Sequence, residues 1–157
     1  MRVLAVDFGQ RRLGLAVSDA TGLLARPWQT VPAGPDVRAS ATTIAALVTR
    51  HNDADLSELV AIVVGLPRRL GGEDTHQTAP AREFARHLGE LTGIPVHLQD
   101  ERLTSYEAES RLAEREPDWR KRKAMLDAAA AAIILQDYLD GRQETVSLTL
   151  LAEDPGE

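Results

Sequence analysis

The run Leu59-Val60-Ala61-Ile62-Val63-Val64 is apolar at every position and shows no alternation of apolar with polar side chains. A strand wetted on one face alternates. One that does not alternate is covered on both faces, as the strands of parallel sheets are by their crossover helices. Bounded by Gly65-Leu66-Pro67, the run predicts an α/β fold with helices on both sides of a central sheet. Upstream, residues 3–30 alternate and break at Gly9, Gly14 and Gly22, which predicts an antiparallel meander of Val3 to Phe8, Leu13 to Ser18 and Leu23 to Thr30. A helix from Val37 to about His51, capped by Asp36, places Ala41, Ile44, Ala45 and Val48 on one face. A second, from Thr78 to Leu91, does the same with Ala81, Phe84, Ala85 and Leu88, and Pro95 to Gln99 reads as the fifth strand.

Thr104-Ser105-Tyr106-Glu107 has the spacing of a capping box, so a helix is expected just past Asp100-Glu101-Arg102. Pro117 separates it from a last helix, Lys123 to Leu139, whose five alanines Ala128 to Ala132 allow close approach to a sheet. From Gly141 on there is no clear periodicity, and Glu153, Asp154 and Glu157 make the end acidic. The expectation is one domain over residues 1–141 and a disordered tail over 142–157.

The 157 residues include no cysteine, so a metal would have to sit on oxygen or imidazole, which favours hard cations over zinc. His51, His76, His87 and His97 show no ligand spacing to one another. No apolar run approaches the length needed to cross a bilayer, and Asp7 comes too early for a signal peptide, so a soluble cytoplasmic protein is expected. A net charge of -6 excludes a protein that coats DNA by neutralising many phosphates. Local basic clusters remain: Arg11-Arg12, Arg68-Arg69, Arg102 and Arg120-Lys121-Arg122-Lys123.

In open α/β sheets, sites form beyond the carboxyl ends of the strands. Asp7 closes the first strand, Asp100-Glu101 closes the fifth, and Asp127 lies at the start of the final helix. A carboxylate ending an apolar strand is costly to bury without a partner or a cation, and magnesium or manganese takes a few carboxylates plus water and substrate phosphate. An acid before Gly9 also suits a plain turn, and an acid in the first turn of a helix suits the dipole. Of the second pair Glu101 is favoured, because its longer side chain reaches further. Asp19 reads as a turn residue after the second strand. Arg11, Arg12, Arg102 and Thr104, the last at a helix N-terminus, flank the acids where phosphate would lie. Trp119 beside Arg120, Lys121, Arg122 and Lys123 offers an aromatic face and cations for a nucleic-acid strand, in what reads as a basic loop.

Four blocks in this order resemble the YqgF (RuvX-like) family: Val6-Asp7-Phe8-Gly9-Gln10-Arg11-Arg12-Leu13-Gly14-Leu15-Ala16-Val17-Ser18-Asp19, Val64-Gly65-Leu66-Pro67, Asp100-Glu101-Arg102-Leu103-Thr104-Ser105 and Asp127-Ala128-Ala129-Ala130-Ala131. The family is described both as Holliday junction resolvases and as nucleases that mature pre-16S ribosomal RNA. The resemblance implies an RNase H-like fold with a mixed five-stranded sheet, and an acidic Mg2+ or Mn2+ site carried by Asp7, Glu101 and Asp127. It implies a phosphodiesterase of structured RNA or branched DNA, in which two ions about 3.5 to 4 Å apart serve an in-line displacement. Arg11 stands where relatives often carry Lys, which keeps the charge and changes the donor geometry. A resolvase would be served by a homodimer and an end-processing nuclease by a monomer, and both stay open here. Rival readings are a kinase-like ATPase, for which 157 residues supply only one of the two domains needed, and a nucleic-acid-binding module without catalysis.

Overall fold

The computed structural model describes residues 1–50, 58–101, 114 and 117–152. Five strands, β1 (Arg2–Phe8), β2 (Arg12–Ser18), β3 (Ala25–Pro32), β4 (Leu59–Leu66) and β5 (Val96–Asp100), form one sheet in the order β3-β2-β1-β4-β5. The first three pair antiparallel, and β4 lies parallel to both β1 and β5. This is the mixed sheet expected from the sequence, with the alternation-free run as the strand next to its centre.

Helices α1 (Val37–Arg50) and α2 (Thr78–Thr92) cover one face. There Leu4, Val6, Leu13, Leu15, Val17, Ile62 and Val64 meet Ile44, Phe84 and Leu88, all of them buried. Helix α3 (Trp119–Ala152) covers the other face, where Val3, Ala5, Ala16, Ala61 and Val63 meet Ala131, Ile134, Leu135 and Leu139. Because strand side chains alternate, this division assigns every position of the sheet to a face. The α3 face is built of small residues, and the helix opposite it carries the alanine run, so the two backbones come close. At Gly14 they meet: a Cβ there would overlap the carbonyl of Asp127 and lie 3.0 Å from the nitrogen of Ala128. Gln136 pins the same helix to the β2–β3 connection, accepting from the Ala25 N–H at 2.9 Å and donating to the Leu23 carbonyl at 3.0 Å.

The start of β3 and both ends of α3 differ from those expected. β3 starts at Ala25 rather than Leu23, because the Asp19 carboxylate accepts the N–H groups of Leu23 and Leu24 and draws both into the turn. Asp19 is thus the turn residue expected, and those hydrogen bonds, with one from Thr21, hold its carboxyl below the ordinary value. α3 starts at Trp119 rather than Lys123, so Arg120, Lys121, Arg122 and Lys123 form helical turns instead of a loop. The Arg122 N–H bonds to the Asp118 carbonyl, and its guanidinium reaches back to the Pro117 carbonyl at 3.0 Å, closing that first turn. The helix also runs on to Ala152, past Leu139 and through most of the segment expected to be a disordered tail. Gly141 costs a helix interior only about 1 kcal/mol, and no proline intervenes before Pro155. The helix expected from Thr104 lies outside the described residues.

Since Gly14 faces backbone that cannot swing aside, Gly14→Ala is expected to destabilise the fold by about 3 kcal/mol or to displace α3, as overpacking does in a close-packed contact. Urea denaturation of the variant against wild type checks this, and unchanged stability would show that the helix has room to give.

Candidate active site at the carboxyl end of the central strands

Asp7 follows Val3 and Ala5 on the α3 face of β1, and its register partner on β2 is Gly14. On the other side, Val6 pairs with Val64, which sets Gly65 of β4 beside Asp7. Parity also separates Asp100 from Glu101, of which side-chain length alone favours Glu101 in the sequence. On β5, Val96 packs into the α1–α2 core, whereas His97 stacks on Tyr138 of α3 with ring centroids 5.6 Å apart. Glu101 shares the face of His97 and Asp7, while Asp100 shares the face of Val96. The ladder carries on to place it, since the Glu101 N–H bonds to the Leu66 carbonyl at 3.3 Å.

Strand β4 lies between β5 and β1, so the Glu101 side chain must cross it to reach Asp7. It crosses at Gly65, where a Cβ would stand 2.5 Å from Glu101 Oε2 and 3.2 Å from Glu101 Cδ. The two carboxyls then hydrogen bond to each other. Burial pushes Glu101 up to about 9, with the neighbouring charge of Asp7 adding to it, and its O–H donates to the Asp7 carboxylate. Burial likewise raises Asp7 to about 6, a shift opposed by the Glu101 hydrogen bond and reinforced by the charge of Asp127.

Asp127 sits two turns into α3, above Gly14, and not in its first turn, so neither capping nor the helix dipole accounts for it. Its Oδ2 lies 2.9 Å from Nε of Arg12, whose side chain is half exposed. The structure therefore brings Asp7 and Glu101 into contact and holds Asp127 beside them on an arginine. Among the described residues no three His, Asp or Glu side chains are grouped closely enough to hold one ion together. The donor set nonetheless fits a hard divalent cation: all its atoms are carboxylate oxygens, and the Asp7–Glu101 pair is partly buried with no positive partner of its own among the described residues.

Of the expected phosphate-binding residues, Arg11 in the β1–β2 turn and Arg12 at the start of β2 are exposed near Asp7. Lys121 is exposed and Arg122 partly so, while Arg102 and Thr104 fall outside the described residues. Two features carried no role in the sequence reading. Gly65 sits in an otherwise unbroken strand, where a glycine signals close approach by another group. Arg68, at the carboxyl end of β4, has a buried Nε without a hydrogen-bond partner, 3.7 Å from Asp74 Oδ1. No periodicity points to it.

The pair gives the site a pH signature. Both folded values lie above the unfolded ones, so its contribution to stability is full below about pH 4 and is lost as pH rises through 6 and then 9. In chelator, the melting temperature of wild type relative to Glu101→Gln is expected to fall from about pH 5 to about pH 9. Manganese in excess should flatten that difference by supplying the missing positive charge. A difference independent of pH would mean that the two carboxyls do not share a proton.

The family model described as RuvX: Holliday junction resolvase matches residues 1–141. A relative in Koribacter versatilis (strain Ellin345) named "Putative pre-16S rRNA nuclease" is 44% identical over 141 residues, covering 90% of this chain and 88% of its own. One of the same name in Clavibacter michiganensis subsp. michiganensis (strain NCPPB 382) is 45% identical over 137 residues, covering 87% and 81%. Among solved structures, Thermus thermophilus RuvC superposes with a TM-score of 0.51 at 21% identity over 92% of this chain and 98% of RuvC, a likeness of fold. The sheet order, the matched residues and the near-complete coverage on both sides agree: the chain belongs to the RuvX Holliday junction resolvase family.

Proposed function

We propose that the protein is a Mg2+- or Mn2+-dependent nuclease that hydrolyses phosphodiesters of structured nucleic acid, with the 5′ end of pre-16S ribosomal RNA as its substrate. Residues 1–141 would form the nuclease domain and act in the cytoplasm, where that precursor is found. No helix among the described residues is long and apolar enough to cross a membrane. The observation that carries the proposal is the Asp7–Glu101 pair: two partly buried carboxyls pressed together at a sheet edge, each raised by burial. A structural role would be better served by a neutral pair, whereas a cation site needs this charge. The names of the relatives point to pre-16S RNA, and that of the family to branched DNA as the second substrate.

A divalent ion bound there would polarise the phosphoryl oxygens and lower the pKa of the attacking water. Asp7 and Glu101 would hold it, giving up their shared proton, and Asp127 would join them only on leaving Arg12. Arg11 and Arg12 would grip phosphate next to the acids, and Arg102, Thr104 and Arg120 to Lys123 would extend that grip along the backbone. Such contacts do not read sequence, so selectivity would come from substrate shape. Arg12 has a double part. In the structure it neutralises Asp127, and it would turn to phosphate once Asp127 takes the ion.

Asp7→Asn keeps the shape and removes a ligand charge, so cleavage of a precursor ribosomal RNA should fall by at least about three orders of magnitude. Stability in chelator should hold or rise, because one of the crowded acids is gone. Full activity in this variant, or wild-type cleavage undiminished by chelator, would refute the metal-dependent reading. A four-way DNA junction assayed alongside decides between the two substrates.

Arg12→Ala separates the two parts of that residue. Manganese affinity should hold or rise several-fold as Asp127 is freed, while substrate binding weakens and its salt dependence flattens by about one phosphate contact. Loss of manganese affinity instead would make Arg12 a support for Asp127 rather than its competitor.

A further inference from the structure

We infer that Gly65 is a positioning residue of the active site: the missing side chain is the passage through which Glu101 crosses β4 to meet Asp7. The inference builds on the metal reading above, since Glu101 is there a ligand. Its physical basis is independent of any ion. Asp7 lies on β1 and Glu101 directly follows β5, two strands that do not touch, and β4 stands between them. On the α3 face β4 presents Ala61, Val63 and then Gly65, and the Glu101 carboxyl lies over the strand at the last of these. A methyl there would stand 2.5 Å from Glu101 Oε2, 3.2 Å from its Cδ and 2.7 Å from Ile134 Cδ1 on α3. The space is thus filled twice, by the acid from the side and by α3 from above.

Backbone freedom does not explain the glycine, because Gly65 is absent from the positive-φ residues and lies in regular strand with Gln99 as its β5 partner. What the position requires is the absence of Cβ. An alanine would drive the Glu101 carboxyl away from Asp7, leaving it on the β5 side of the sheet.

Two neighbours share the space, so the test must tell displacement of Glu101 from crowding of Ile134. Gly65→Ala is therefore made alone and with Ile134→Val, which removes the Cδ1 atom in the way and leaves the acids untouched. The first readout needs no metal: the coupling in stability between Asp7→Asn and Glu101→Gln, measured by urea denaturation in chelator. The second is manganese affinity by titration calorimetry. In Gly65→Ala/Ile134→Val the chain should unfold cooperatively near wild-type stability. The coupling should vanish, and manganese affinity should drop about 10- to 100-fold. Adding Glu101→Gln to this background should then cost nothing more. Coupling and manganese affinity at wild-type levels in Gly65→Ala/Ile134→Val would overturn the inference and make Gly65 a matter of packing against Ile134. Manganese affinity unaffected by Glu101→Gln in the wild-type background would instead overturn the metal reading, and the coupling in chelator would still decide the role of Gly65.

Discussion

Between α3 and the sheet the spacing is set by backbone rather than by side chains. At Gly14 the strand meets the peptide between Asp127 and Ala128 with no room for a methyl, and Ala5, Ala16 and Ala61 face the helix around that point. Larger residues would hold a helix farther off, and Asp127, carried on it, would rise away from Asp7. The other face of the same sheet shows the contrast. There Leu4, Leu13, Leu15 and Ile62 fill a thick core under α1 and α2, and Phe8 stacks on Phe84 at 4.8 Å between centroids. One face supplies most of the buried apolar volume, and the other is thinned so that charged groups can converge.

That division matters because the converging groups repel. Asp7, Glu101 and Asp127 are all acidic, and the fold meets their charge in two ways. Glu101 stays protonated and donates to Asp7, while Asp127 is paired with Arg12. Neither arrangement is a strong source of stability: a shared proton leaves two desolvated carboxyls, and an ion pair with a half-exposed arginine is screened by water. A site that is merely tolerated in this way can be refilled by a stronger positive charge, which is the property a metal site needs before its ion arrives. It also explains how a chain with a net charge of -6 can serve a polyanion. The acids face inward under α3, and the exposed Arg11 and Arg12, where the β1–β2 turn enters β2, stand at the same edge.

Much of this was legible in the sequence where the signal is local. The lack of alternation in Leu59 to Val64 and the glycine-broken alternation before it give the mixed sheet, because burial on one or both faces is written directly into side-chain order. Asp7 is conspicuous as an acid ending an apolar strand. The choice between Asp100 and Glu101 could not be made from β5, whose pattern has no clear face of its own. It needed to be known that His97 lies under Tyr138, a contact between segments far apart in the chain. The ends of α3 were missed for a related reason. Charge before Lys123 and polarity after Leu139 look like loop, yet a helix seated by its middle turns propagates outward at little cost per residue.

Gly65 shows the same limit at the level of one atom. A glycine in a buried strand can be read as a close approach, but what approaches depends on strand order, and strand order places β4 between two acids that are about ninety residues apart in sequence. The constraint is mutual. Glu101 can serve Asp7 only because β4 lacks a side chain at that point, and β4 can lack one without leaving a cavity only because Glu101 and Ile134 fill the space. In a close-packed interior such a vacancy would otherwise cost the contacts its lining atoms lose. The polar group and the core side chain therefore specify the glycine together, and the active site is stitched into the packing rather than laid on top of it.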